Sequence, residues 1–155
     1  MVDGSCIPTW VAVAPDDRHL YVPCNGRSEI LEIDRDQLHI TRTFPTGKAP
    51  YNADVSPDGR YLVTTLKGAQ AVSVIDLGTG TERQVSTTRP VTHGVVITPD
   101  SRYAFISNES IGAVPGTVDV IDLAAGVVAA STEVRLQPGG ISFWKMETGQ
   151  EHSGQ

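Results

Sequence analysis

A Pro-Asp dipeptide stands at Pro15-Asp16, Pro57-Asp58 and Pro99-Asp100, each copy 42 residues after the last. Around it the segments VAVAPDDRHLYV, ADVSPDGRYLVT and VVITPDSRYAFI share one order: apolar run, tight turn, Arg, apolar run. A hydrophobic-Asp pair follows each, at Ile33-Asp34, Ile75-Asp76 and Ile121-Asp122, the third displaced by four residues. Self-similarity at this period is the mark of a repeat architecture, in which each unit cannot bury its own faces and must stack on its neighbours.

Each unit resolves into four short strands. In the second, Asn52–Ser56 alternates and Pro57-Asp58-Gly59 makes a turn, with Pro presetting φ and Gly free to take φ > 0. Tyr61–Thr65 is rich in aromatic and β-branched residues, Ala71–Asp76 resumes the run, and a weak outer strand is expected around Arg83–Ser86. The other units predict Ile30–Asp34 with Ile40–Phe44, and Thr117–Asp122 with Val127–Ser131. No segment shows a convincing 3.6-residue apolar period, so the fold class is all-β. Val11, Ala53, Val95 and Ile141 are equivalent, as are Val13, Val55, Ile97 and Phe143 two residues on, and these predict a shared core between stacked sheets. Radial stacking of four-stranded units gives a β-propeller. The recurring Asp34, Asp76 and Asp122, like Asp16, Asp58 and Asp100, are read as turn scaffolding.

The chain of 155 residues is 39% apolar and 19% charged, the balance of a globular domain. A net charge of −6, with 12 Lys and Arg scattered along the chain, argues against nucleic acid as a partner. No apolar run approaches the roughly 20 residues of a membrane span. The opening MVDGSCIPTW lacks the basic start and long apolar stretch of a signal peptide. Cys6 and Cys24 are too few for a disulfide framework and wrongly spaced for a zinc site. Two independent thiols is the first reading. One bridge is the alternative: a hairpin turning at Asp16 and Asp17 sets Ala14 opposite His19 and Thr9 opposite Cys24, with Cys6 in a loop able to fold back.

With Pro-Asp-Gly-Arg-Tyr at 57–61 and Val-Ser-Val-Ile-Asp at 72–76, the unit resembles the repeat of the YVTN-type β-propeller proteins. Tyr21-Val22-Pro23-Cys24-Asn25 and Phe105-Ile106-Ser107-Asn108 stand for the name-giving tetrad, while the second unit departs from it with Val63-Thr64-Thr65-Leu66. The likeness covers about residues 7–147. It implies a seven-bladed ring and an exported bacterial protein, periplasmic or extracellular.

The repeats span about 7–49, 50–90 and 91–137, giving three four-stranded blades. Residues 138–147 read as a lone closing inner strand, so that 1–147 form a partial propeller, and 148–155 read as a disordered tail. Closing a ring then requires further blades or self-association.

Ligand sites in propellers lie at the channel mouth, on loops entering the first strand and loops joining the second and third. The first loops carry Thr9 and Trp10, Tyr51 and Asn52, His93 and Gly94. The second carry Asn25, Arg27, Lys67, Asn108 and Glu109. These positions differ between units where the scaffold repeats, and Trp10, Tyr51, Asn52, His93 and Asn108 are the candidate ligand-binding residues. The four-residue insertion falls in Asn108–Gly116. No catalytic set, metal site or cofactor is expected: His93 has no second His or Cys at an equivalent position, and haem-attachment, nucleophile-elbow and phosphate-loop motifs are absent. The expected function is a non-catalytic module binding a protein or small molecule on one rim. The alternatives are the propeller of an oxidoreductase, similar to those of nitrite reductases and amine dehydrogenases, and a lactonase-like hydrolase drawing on Arg27, His93 and Glu109.

Overall fold

The computed structural model describes residues 4–145. Blade one comprises β1 (Ala12–Val13), β2 (His19–Cys24), β3 (Glu29–Asp34) and β4 (His39–Pro45). Blade two comprises β5 (Pro50–Val55), β6 (Tyr61–Leu66), β7 (Ala71–Asp76) and β8 (Glu82–Ser86). Blade three comprises β9 (Thr92–Ile97), β10 (Tyr103–Asn108), β11 (Thr117–Asp122) and β12 (Val127–Glu133). Each sheet is an antiparallel meander in chain order, and no helix occurs among the described residues. The strands lie within a residue or two of the sequence expectation, because Pro-Asp and Gly-rich turns punctuate the apolar runs.

The two signatures of the repeat turn out to be one device. Asp16, Asp58 and Asp100 accept the N–H of Arg18, Arg60 and Arg102 at 2.9, 3.0 and 3.1 Å, closing the turn. Residue 17, 59 or 101 of that turn is left-handed, with φ of 55, 72 and 60° at Asp17, Gly59 and Ser101. The same Arg then reaches the Ile-Asp carboxylate, Arg18 Nε to Asp34 at 3.0 Å and Arg60 Nε to Asp76 at 3.2 Å. That carboxylate in turn accepts N–H groups of the following turn: Gln37 to Asp34, Thr79 to Asp76, Ala125 to Asp122. In blade three Arg102 bonds the Tyr103 hydroxyl instead. The β3–β4 type turns also share a left-handed residue, supplied by Gly80 and Gly126 in blades two and three but by Leu38 in blade one.

Two cores lie between blades. Ala12, Ala14, Tyr21, Ile30 and Phe44 meet Ala53, Val55, Leu62, Ile75 and Leu77. Tyr61, Val63, Val72 and Val74 meet Ile97, Ala104, Ile106, Ile121 and Leu123. Arg42 and Arg83 cross these seams at the outer strands, donating to the Leu77 carbonyl at 2.9 Å and the Leu123 carbonyl at 2.8 Å. The expected shared face is buried at Ala53, Val55 and Ile97 and partly at Val95. Val11 and Val13 depart from it, being 52% and 56% exposed. They face away from blade two, where the described residues supply no neighbouring sheet.

Two further expectations are corrected. Cys6 and Cys24 are not independent thiols but a disulfide, Cα–Cα 4.4 Å, both fully buried beside Leu31. Ala14 does face His19, its N–H donating at 2.9 Å, but Pro8 rather than Thr9 pairs with Cys24. Ile7, left-handed at φ 48°, turns the chain so that Cys6 arrives at Cys24. The second correction concerns the lone strand: Pro138–Lys145 is described but forms no strand. A strand is defined by a hydrogen-bonded neighbour, and no described strand lies beside it. Residues 146–147 and the expected tail at 148–155 lie outside the described residues. Among the described residues, no helix is long and apolar enough to cross a membrane.

Candidate functional site

The rim at the start of the first strands is built by a recurring clamp. The residue two positions ahead of the rim residue is left-handed in every unit: Ile7, Ala49, Val91 and Gln137, with φ of 48, 58, 59 and 52°. In this conformation its carbonyl receives an N–H from the loop joining the second and third strands. Asn25 donates to Ile7 at 3.1 Å, Lys67 to Ala49 at 2.9 Å and Glu109 to Val91 at 3.0 Å. The next N–H of each loop repeats the clamp: Gly26 to Cys6, Gly68 to Lys48, Ser110 to Pro90. Each blade therefore presents two adjoining rim positions, Thr9 with Asn25, Tyr51 with Lys67, and His93 with Glu109.

A second device joins these positions across blades. The Thr65 hydroxyl accepts the Asn52 N–H at 3.0 Å and donates to the His93 carbonyl of the next blade at 2.8 Å. The Ser107 hydroxyl, one repeat later, accepts the Gly94 N–H at 2.9 Å and donates to the Gly139 carbonyl. In blade one the corresponding residue is Pro23, which has no hydroxyl; Thr9 donates instead to the Tyr51 carbonyl at 2.7 Å, and Asn25 Nδ2 to the Pro50 carbonyl at 3.1 Å.

These clamps assemble one cluster from blades two and three. The Tyr51 and His93 rings lie 5.0 Å apart between centroids, inclined at 53°. Lys67 Nζ sits 4.1 Å from the Tyr51 ring centroid, a cation over an aromatic face. Glu109 Oε1 lies 3.7 Å from Lys67 Nζ and 3.4 Å from His93 Nε2. His93 Nδ1 is buried and has no partner. The cluster combines an aromatic platform, an ammonium, a carboxylate and an imidazole, all partly exposed.

Of the five candidates, the structure brings Tyr51 and His93 together and adds Lys67 and Glu109. Trp10 is 51% exposed and makes no ring contact with either. Asn52 is buried, its N–H and carbonyl held by Thr65 and Thr64. Asn108 is wholly buried instead of lying on the rim. Its Nδ2 donates to Thr117 Oγ1 and Asp119 Oδ2, both at 2.9 Å. The Asp119 carboxylate is satisfied there by Thr88 Oγ1 and Ser131 Oγ at 2.6 Å and by the Thr88 N–H at 2.7 Å. This buried polar knot ties the blade-two exit to blade three. The sequence signal was an acid, Asp119, at the repeat position held by Leu31 and Ser73.

The trio that a hydrolase reading requires is not assembled. Arg27 is engaged with Glu29 inside blade one, while His93 and Glu109 adjoin each other. Among the described residues, no group of three or more His, Cys, Asp or Glu is placed to hold a metal. At the opposite end of blades two and three, a cleft of about 290 Å³ is lined by Arg60, Tyr61, Asp76 and Arg83. Its cations are committed to Asp76 and to the Leu123 carbonyl.

No family model and no curated protein matches the sequence. Solved structures do match the fold. U3-55K is similar at a TM-score of 0.73 and 12% identity, over 85% of this chain and 40% of that one. The β-propeller domain of Cps50 (Swd1) from Myceliophteria thermophila gives 0.70 and 12%, over 86% and 44%. Hydrazine synthase of Kuenenia stuttgartiensis gives 0.52 and 17%, over 87% and 51%. The chain thus spans about half or less of the length of each. Three consecutive four-stranded meanders, two inter-blade cores and these neighbours agree: the chain has the β-propeller fold.

Proposed function

We propose that the chain is a non-catalytic binding module whose recognition surface is the rim cluster of Tyr51, Lys67, His93 and Glu109. One observation carries the reading. At clamped, geometrically equivalent rim positions the residues are Thr9, Tyr51 and His93, and Asn25, Lys67 and Glu109, whereas the turns and backbone clamps beneath them repeat. Side chains that vary over an invariant backbone are where a scaffold carries specificity. The ligand is a protein or small molecule bearing both hydrogen-bond donors and acceptors, since the cluster offers Lys67 as donor, Glu109 as acceptor and Tyr51 as a stacking face. A periplasmic or extracellular location belongs to the same proposal, and the buried Cys6–Cys24 disulfide supports it, because such bonds persist in oxidising compartments. Membership of the YVTN-type repeat proteins, and a seven-bladed ring, are likewise part of this reading and rest on the repeat motifs.

The test is a binding screen of peptides and small molecules against the parent chain and a Tyr51→Ala/His93→Ala variant. Ligands of the parent that the variant no longer binds support the rim cluster. A ligand held equally well by both places recognition elsewhere, with the loop at Asn108–Gly116 the next surface to alter.

A further inference from the structure

The clamp on the rim of blade one holds a reactive dipeptide. Asn25 is followed by Gly26, while the chain's other asparagines, Asn52 and Asn108, precede Ala53 and Glu109. Asparagine ahead of glycine is the pair most prone to cyclise, because no Cβ shields the following amide nitrogen from the side-chain carbonyl carbon. The fold nevertheless requires glycine there, since a Cβ at Gly26 would collide with the Ser5 carbonyl. Asn25 is half-buried and Gly26 exposed, so water reaches the loop.

Both reacting groups are held by other segments. The Gly26 N–H donates to the Cys6 carbonyl at 3.0 Å, and Asn25 Nδ2 donates to the Pro50 carbonyl of blade two at 3.1 Å. The Asn25 N–H is fixed on the Ile7 carbonyl and the Arg27 N–H on that of Cys24, at 3.1 and 3.0 Å. Cyclisation needs the first two bonds broken and the Asn25 backbone turned, so the loop must open. The Cys6–Cys24 bridge opposes opening, because it ties the residue that bears the acceptor carbonyl to the residue beside Asn25. Lys67-Gly68 and Glu109-Ser110 occupy the same clamp in blades two and three, with neither a bridge nor an asparagine. Among the described residues, the bridge therefore stands at the clamp whose loop can modify itself.

We propose that Asn25-Gly26 is a self-modification site gated by the disulfide: reduction of Cys6–Cys24 by a dithiol releases the loop, and Asn25 converts to aspartate or isoaspartate. The dithiol passes its two hydrogens and their electrons to the bridge, leaving two thiols here and a disulfide on the reductant. The Gly26 nitrogen, its proton lost to solvent base, attacks Asn25 Cγ. The Cγ–Nδ2 bond breaks, and the nitrogen takes a proton from water and leaves as ammonia. One water then opens the resulting succinimide at either carbonyl. Each product carries a carboxylate where Nδ2 had donated to Pro50, which adds a negative charge and leaves the Thr9 hydroxyl alone to hold the Pro50 and Tyr51 carbonyls.

Conversion at Asn25 does not require the rim cluster to bind anything, so a failed ligand screen leaves it untouched. The full chain, bridged or reduced with dithiothreitol, would be incubated at neutral pH beside a reduced synthetic peptide of residues 20–30, with deamidation followed by peptide mapping. Asn25 should convert at least about tenfold more slowly in the bridged chain than in the peptide, and at least about fivefold faster once the chain is reduced. Cys6→Ala/Cys24→Ala should match the reduced chain without any dithiol. Hydrogen exchange separates a local gate from collapse: on reduction the Gly26 amide should lose protection while those of Lys67 and Glu109 keep theirs. A bridged chain as fast as the peptide, or a reduced chain or cysteine variant as slow as the bridged one, overturns the proposal. So does exchange at Lys67 and Glu109 that rises together with Gly26.

Discussion

Replacing Thr65 by Val tests whether the hydroxyl clamp holds adjacent blades together. The two side chains have the same shape, so packing is conserved and only the hydroxyl is lost. Thr65 is fully buried, and its oxygen serves the Asn52 N–H at 3.0 Å and the His93 carbonyl at 2.8 Å. A backbone group left buried without a partner costs about 1–3 kcal/mol, so two such groups at a seam that water partly reaches should cost about 2–4 kcal/mol together. With a urea m-value of about 2 kcal/mol/M, the unfolding midpoint should fall by roughly 1–2 M. Thr65→Ser, which keeps the hydroxyl, should lose only a methyl's worth of burial, about 1 kcal/mol or less. Equilibrium urea unfolding followed by far-UV dichroism measures all three proteins. A Thr65→Val midpoint within roughly 0.25 M of the parent at unchanged m-value would refute the clamp as a source of inter-blade stability.

Other perturbations separate scaffold from rim. Ile106→Ala, in the core between blades two and three, should cost about 2–5 kcal/mol by the same assay, whereas Tyr51→Ala/His93→Ala should stay nearer to the parent, since both side chains are partly exposed. Leu38→Gly should stabilise by about 0.5–1 kcal/mol: Leu38 is exposed and left-handed at a position where the other blades use glycine, so strain is relieved and no packing is lost. Asp119→Ala should cost about 2–4 kcal/mol by stranding Asn108 and Thr88, a loss visible in the thermal midpoint. Acid should destabilise the chain. Asp16, bonded by the Arg18 N–H and then by His19, is lowered to about 2, and Asp34, Asp58, Asp76 and Asp100 are lowered too. Depressed carboxyls contribute stability that is present above their unfolded values and lost as pH falls through the folded ones, so the thermal midpoint should drop from about pH 4 towards about pH 2. Asp54, pushed up by burial, acts in the opposite sense and gains on protonation; a midpoint that rises on acidification would mean that it outweighs the other five.

The strands were legible in the sequence because turn chemistry and alternation are local. The Pro-Asp and Ile-Asp signatures could be assigned to scaffolding from their recurrence alone, although the Arg that links them emerges only when the hairpin brings residues 18 and 34, or 60 and 76, together. Position in the repeat located the rim but could not say which way a side chain turns. Asn108 occupies a loop margin and still points inward, because Asp119 needs a donor there. Lys67 and Glu109 join the cluster through contacts between blades, which one unit's sequence cannot contain. The disulfide stood as the open alternative in the sequence, its hairpin register off by one residue, because the left-handed Ile7 brings Pro8 and not Thr9 opposite Cys24. Val11 and Val13 read as core because their repeat equivalents are core; burial depends on a neighbouring sheet, which equivalence within a repeat does not supply.

The grip of Thr65 on residue 93 falls on a carbonyl oxygen, an atom every amino acid possesses. Blade mating is therefore blind to the side chain at that position, and the same holds for Ser107 and residue 139. Mutation can thus rewrite the rim without disturbing the joinery, so that new specificities are reachable by single substitutions that leave the folded state intact. The hydroxyl positions have no such freedom, since a change there alters every seam it touches. A library confined to residues 51, 67, 93 and 109 should consequently yield mostly folded proteins, and a library of equal size at 65 and 107 mostly failures.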